Sequence, residues 1–182
     1  MKLSLKHIAA AAALALSTAA SANTLTFEGV TFDLNAGAGS TLELTLTGVA
    51  SSTGTWADAT FLNAFSLGDI GVTTLSAPTG FVPVVGELNA SGTGCTGGDS
   101  GKFCFEGHDP VSDLMTYTMT YTGTLDLSAP NLKVLFVDDE GTKVGSLLSA
   151  TIPIPEPDTY ALMIAGLGVI GFIARRRQQQ QA

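Results

Sequence analysis

Basic residues are scarce in this chain, and most of them sit at its two ends. Eight Lys and Arg stand against 16 Asp and Glu. Lys2 and Lys6 open the sequence and Arg175, Arg176 and Arg177 nearly close it, which leaves Lys102, Lys133 and Lys143 for everything between. Over residues 23–155 these three lysines face 14 acids, a formal charge of −11. A surface of that sign repels phosphate backbones, so no nucleic-acid partner is expected. It favours solubility, and it suits cations or basic partners. Histidine is scarcer still, with His7 in the basic start and His108 alone beyond it. One imidazole makes no zinc site without partners, and no general base stands beside a nucleophile, so neither a cofactor nor an enzyme activity is expected. Internal repeats are absent, as is any amphipathic helical period of useful length between the ends, which excludes a helical bundle.

The ends carry the clearest signals. Lys2, Lys6 and His7 precede an apolar run over residues 8–16, and Ala20-Ser21-Ala22 then places small residues at −3 and −1 of a cut before Asn23. This is the layout of a signal peptide over residues 1–22, to be removed by signal peptidase. The other end reads Pro155-Glu156-Pro157, then an apolar run over 160–174, then Arg175-Arg176-Arg177. Fifteen helical residues rise about 22 Å, short of the roughly 30 Å hydrocarbon core. A helix over 159–174 spans it only by thinning the bilayer or by letting its ends reach the interfaces. Tyr160 suits one interface, Leu162, Ile164, Leu167, Ile170, Phe172 and Ala174 face lipid, and the three arginines stop transfer on the cytoplasmic side. The reading is a single C-terminal transmembrane helix, with the body outside the cytoplasm.

In order and content, this tail resembles the PEP-CTERM sorting segment of Gram-negative bacteria: Pro155-Glu156-Pro157, the polar step Asp158-Thr159, the apolar run and the arginine cluster. A tail of this kind is also called an ice-binding-protein C-terminal domain, a label about the company it keeps that carries no evidence of ice binding. The resemblance implies processing near the Pro-Glu-Pro by exosortase, a membrane protease-transpeptidase, in species that build exopolysaccharide and biofilm matrix. Asp158 and the glutamines of 178–181 depart from the usual pattern. The domain layout expected is therefore signal peptide 1–22, body 23–153, sorting segment 154–178 and a disordered end over 179–182.

Export sets the redox context. Cys95 and Cys104, the two cysteines of the chain, allow one intramolecular bridge in an oxidising compartment, across a stretch that Gly97, Gly98 and Gly101 can bend. Such a bridge contributes about 2–3 kcal/mol by the chain-entropy estimate. Neither a Cys-x-x-Cys spacing nor a second Cys/His pair supports a redox or metal role.

The body alternates. Leu42, Leu44 and Leu46 oppose Thr41, Glu43, Thr45 and Thr47; Met115, Tyr117, Met119 and Tyr121 oppose Thr116, Thr118, Thr120 and Thr122. Period two with one apolar face predicts half-buried strands. Residues 132–138 and 142–152 read as a hairpin turning at Asp138-Asp139-Glu140-Gly141, with Gly141 at positive φ. Further strands are expected at 25–34, 60–67, 70–75, 81–88 and 103–106, while 56–65 is ambiguous and allows a helical turn. About nine short strands predict an all-β, antiparallel sandwich, Ig-like or jelly-roll-like, with a single barrel second. The last hairpin and the Gly-rich loop between the cysteines also resemble those of many bodies that precede this tail.

Several motifs tempt. Gly166-x-Gly168-x-x-Gly171 lacks the preceding strand and the later acid of a dinucleotide fingerprint. Gly98-Asp99-Ser100-Gly101 resembles a serine-protease nucleophile loop, yet His108 follows the serine and the domain is too small for that fold. His108, in Gly107-His108-Asp109-Pro110, reads as a surface loop residue. The acids Asp138, Asp139 and Glu140, and Glu106, Asp109 and Asp113, lack a calcium-loop spacing and read as solvated turns. Trp56, Tyr117 and Tyr121 have the chemistry to stack on sugar rings, although the alternation favours core packing for the tyrosines. The function expected is an exported, membrane-anchored protein that ends at the cell surface or in the extracellular matrix. Its body is expected to be a non-catalytic structural or adhesive module linked to exopolysaccharide or biofilm. A carbohydrate-binding module is the alternative, and a secreted enzyme ranks last.

Overall fold

Alternating leucines and threonines can bury one face of a strand and wet the other, and the body is built from that choice. The computed structural model describes residues 23–89, 94–96, 101–153 and 166–168. Its described strands are β1 (Asn23–Phe27), β2 (Val30–Ala36), β3 (Thr41–Thr47), β4 (Phe61–Gly68), β5 (Val72–Leu75), β6 (Phe81–Val85), β7 (Glu87–Leu88), β8 (Cys95–Thr96), β9 (Lys102–Pro110), β10 (Leu114–Gly123), β11 (Asn131–Val137) and β12 (Leu148–Thr151). One sheet runs β1-β2-β3-β10-β5, the other β12-β11-β4-β9-β6, and β7-β8 is a small ribbon. All pairs are antiparallel.

The two large sheets share one core. Leu42, Leu44, Leu46 and Met119 from the first meet Leu62, Phe65, Leu67, Phe105 and Phe136 from the second, all within 1 % of full burial. This is the face-to-face sandwich that the alternation predicts. The outer face of the first sheet is left to threonines in cross-strand register, among them Thr31 with Thr47 and Thr45 with Thr116. Thr26 bonds Thr31 at 3.0 Å and Thr74 bonds Thr122 at 2.7 Å, the hydroxyl pairs that such rows permit.

Expected strands shift where the backbone must turn. Residues 25–34 are two strands, β1 and β2, because Glu28 (φ 48°) and Gly29 (φ 84°) make a two-residue turn with both central residues at positive φ. The Thr55 hydroxyl donates to the Glu28 carboxylate at 2.9 Å and holds that turn. Residues 81–88 break at Gly86 into β6 and β7. The strand at 103–106 is longer, running Lys102–Pro110. Of 142–152 only Leu148–Thr151 is strand, with a lone bridge from Val137 to Lys143. The turn between them forms as expected: Gly141 has φ 74°, and the Asp138 carboxylate accepts the N–H groups of Glu140 and Thr142.

After β3 the chain crosses from sheet to sheet through two short 3-10 turns, Val49–Ser51 and Gly54–Trp56; of the ambiguous stretch 56–65, Trp56 ends the second turn and residues 61–65 belong to β4. Trp56 is wholly buried there, edge-on to Phe27 and Phe32 on one side and to Phe136 on the other. Its indole N–H donates to the Ser146 carbonyl at 2.9 Å. The chain divides into two units, Ala22–Ile154 and Met1–Ser21 with Pro155–Ala182. In the second, the described residues are 166–168, one helical turn.

Candidate functional site

The body holds the chain until just before the Pro-Glu-Pro. β12 is an edge strand, paired with β11 from Val134–Leu148 to Asn131–Thr151. Ile152 is fully buried, and its N–H donates to the Pro130 carbonyl at 2.9 Å. Pro153, the next residue, is exposed. Of the expected anchor residues, Leu167 lies in the helical turn at 166–168 and is exposed. Pro155, Glu156, Pro157, Tyr160, Leu162, Ile164, Ile170, Phe172, Ala174 and Arg175 to Arg177 lie outside the described residues, as do Ala20 and Ala22. Among the described residues no helix is long and apolar enough to cross a membrane. Asn23 opens β1 opposite Leu34.

A second apolar cluster lies apart from the main core. Ala64, Leu88, Cys104, Leu135 and Val137 are buried together, with Phe61, Cys95 and Leu147 against them. The β7–β8 ribbon brings Leu88 and Cys95 to this cluster, and the Cys95–Cys104 disulfide ties it to β9. The cysteine pairing expected from export is thus present. Glu87 fixes the ribbon's other strand: its carboxylate takes Lys102 at 2.6 Å and Lys133 at 2.9 Å. Hydrogen bonds from Lys102 and then Lys133 hold that carboxyl below its ordinary value of 4.5. Two of the body's three lysines are therefore engaged with one acid. Period and spacing give no hint of this cluster, since its buried members come from four separate strands, β4, β7, β9 and β11. The Glu106 carboxylate accepts the Cys95 N–H at 2.6 Å and closes the ribbon from below.

Where the sheets part along their β5 and β6 edges, a cavity of about 380 Å³ opens. Leu75, Pro83, Val85, Phe103 and Phe105 supply apolar wall, and Thr73, Thr74 and Lys102 bring polar groups. Val85 pairs with Phe103 and so shares its side of the sheet, yet it is 78 % exposed. The cavity's size falls in the range of small-ligand sites.

The residues that tempted in the sequence take structural places. Trp56 is a core residue, which corrects the sugar-stacking alternative there; Tyr117 is in the core, as its alternation predicts, and Tyr121 is half-buried. The Tyr117 hydroxyl donates to the Asp109 carboxylate at 2.7 Å. Burial, then that hydrogen bond and the charge of Asp109, push the phenol far above its ordinary value of 10.0. His108 is not a loop residue: it lies in β9, where two residues bulge against one of β4, and its ring stacks on Phe61 at 3.8 Å. Asp138 spends its carboxylate on its own turn. Among the described residues no group of three His, Cys, Asp or Glu side chains is arranged to hold a metal ion. Gly98, Asp99 and Ser100 lie outside the described residues.

A closed antiparallel body joined within two residues to a Pro-Glu-Pro, an apolar run and arginines defines an all-β protein with a C-terminal sorting tag. Residues 153–178 match the family model of the PEP-CTERM protein-sorting motif, and the chain carries that motif. It is thereby marked for export and for membrane-associated sorting by an exosortase-type system. No curated protein and no solved structure matches the chain.

Proposed function

We propose that the sandwich is delivered to the cell surface or the extracellular matrix as a non-catalytic structural or adhesive module, linked to exopolysaccharide or biofilm. In this reading signal peptidase removes residues 1–22. The helix over 159–174 then holds the chain in the membrane with Arg175, Arg176 and Arg177 inside, and the exosortase-type protease-transpeptidase acts near Pro155-Glu156-Pro157. The sorting motif is the observation that carries it. Three residues with catalytic chemistry have places in the body's own architecture: Asp109 accepts from the Tyr117 hydroxyl, Glu106 accepts the Cys95 N–H, and the His108 ring stacks on Phe61. Deleting residues 154–182 is expected to release a folded body into the periplasm or medium. Surface retention equal to that of the full chain overturns the reading. Intact mass of the surface-derived protein reports both cut sites and any attached group.

The alternative, a carbohydrate-binding module, draws on the β5–β6 cavity instead of on Trp56 or Tyr117. Its apolar wall suits the C–H face of a sugar ring, and the Thr73 hydroxyl suits one of the ring's own. A glycan array on the oxidised protein tests this. Binding that a Phe103→Ala change abolishes favours the module, and a blank array removes it.

A further inference from the structure

One buried polar atom in the body has no partner. Asn23 is 6 % exposed, and among the described residues its side-chain carbonyl Oδ1 is the buried side-chain polar atom without a hydrogen bond. It opens β1 with the same period as Leu25 and Phe27, both packed against the main core, so a polar side chain stands on the apolar face of an edge strand. A buried acceptor left unpaired is costly, and natural structures carry few.

The same residue is the first after the Ala20-Ser21-Ala22 pattern. Two unrelated readings, one of small residues in the leader and one of strand pairing in the body, therefore meet at one peptide bond. In the uncut chain, the nitrogen of residue 23 carries one hydrogen. Asn23 pairs with Leu34, four residues along from the Phe27–Val30 pair that closes the Glu28-Gly29 turn. Alternation from a two-residue turn makes every second pair a hydrogen-bonded one, so that hydrogen belongs to the Leu34 carbonyl. Nothing on that nitrogen remains for Oδ1.

We infer that cleavage between Ala22 and Asn23 supplies the missing donor, so that signal removal completes the fold as well as freeing the chain. Hydrolysis breaks the Ala22–Asn23 C–N bond: water leaves a carboxylate on Ala22 and an ammonium on Asn23, with no net proton released. The new ammonium keeps one hydrogen for Leu34 and has two more. One reaches the residue's own Oδ1, which lies close to its nitrogen through the short Asn side chain. This rests on the signal-peptide reading above and adds to it a specific role for Asn at the first mature position.

A four-way comparison of the otherwise full chain in mild detergent tests it. One pair starts at residue 23 and one at residue 22, each released from a fusion without added residues, and each carries either Asn23 or Asn23→Leu. With the start at 23, Asn23→Leu is expected to shift the unfolding equilibrium toward the unfolded state. With Ala22 retained, the same change is expected to be neutral or favourable, because it removes an unpaired acceptor. The difference between the two pairs is expected to be about tenfold in the unfolding constant. Equal effects in both pairs overturn the inference, since some other group then serves Oδ1. N-terminal sequencing of the exported protein separates the two ideas. A start other than Asn23 sinks the cleavage reading and this inference with it, whereas a start at Asn23 with equal effects sinks the inference alone.

Discussion

Trp56 and Tyr117 show how single residues join the two sheets. Trp56 touches rings from β1, β2 and β11 and caps the Ser146 carbonyl, so one side chain spans both layers and the crossing between them. Tyr117 sits on β10 of the first sheet but bonds Asp109 on β9 of the second. Its raised phenol has a pH consequence whose sign is fixed. An acid held protonated in the folded state resists ionisation while the unfolded chain ionises freely. Its contribution is intact below the ordinary value of 10.0 and is lost progressively as pH climbs from there toward the folded value. Tyr117→Phe is expected to cost about 1 kcal/mol near neutral pH through the lost hydrogen bond. Above about pH 10 the gap to the parent should narrow, because phenylalanine has no proton to lose. Urea melts at neutral and alkaline pH check this, and parallel decline of the two proteins contradicts it.

At the level of elements, the β7–β8 ribbon is the piece most dependent on a covalent tie. Its two pairs, Glu87–Thr96 and Leu88–Cys95, make a very short ladder, too little to stand without support. The disulfide, the two lysines on Glu87 and the apolar cluster beneath it hold it in place. Replacing Cys95 and Cys104 together by serine is expected to cost about 2–3 kcal/mol. The loss should be uneven: amide exchange at Leu88 and Cys95 should accelerate far more than at Leu44 or Tyr117 in the main core. Uniform acceleration would mean that the ribbon and the sandwich open as one. The strands of the sandwich were legible because Leu42–Leu46 and Met115–Met119 announce their inner face by period alone. The cysteine pairing was legible because the chain offers no other choice. The ribbon was not, since Glu87 and Leu88 look like the end of the strand before them, and Gly86 is the sole sign of a break. Nor was the place of His108, which a bulge in β9 carries onto the ring of Phe61. Local pattern reports which side of a strand is apolar; it does not report what a distant strand brings to the other side.

For the molecule as a whole, the decisive feature is how late the core releases the chain. Among the described residues, every member of the main core lies at or before Ile152, whose N–H is still tied to Pro130. A chain ending at residue 153 should therefore keep the stability of the full body within about 0.5 kcal/mol. One ending at residue 147 removes β12 and the buried Leu148 and Ile152, and should lose several kcal/mol. Denaturant midpoints of the two truncations test where the body ends, and equal midpoints would show that β12 adds nothing. The sorting motif was legible from residue order alone, because an address must be read by another protein as linear text. The β5–β6 cavity is a different matter, since it arises only where two sheet edges part. Those two edges have one more consequence. β5 is four residues long, and β6 carries Pro83, which has no N–H to offer a neighbour. In the surface display proposed above, neighbouring molecules would meet these two rims as edges poorly suited to zippering strand onto strand, so that crowding there favours individuals over fibres.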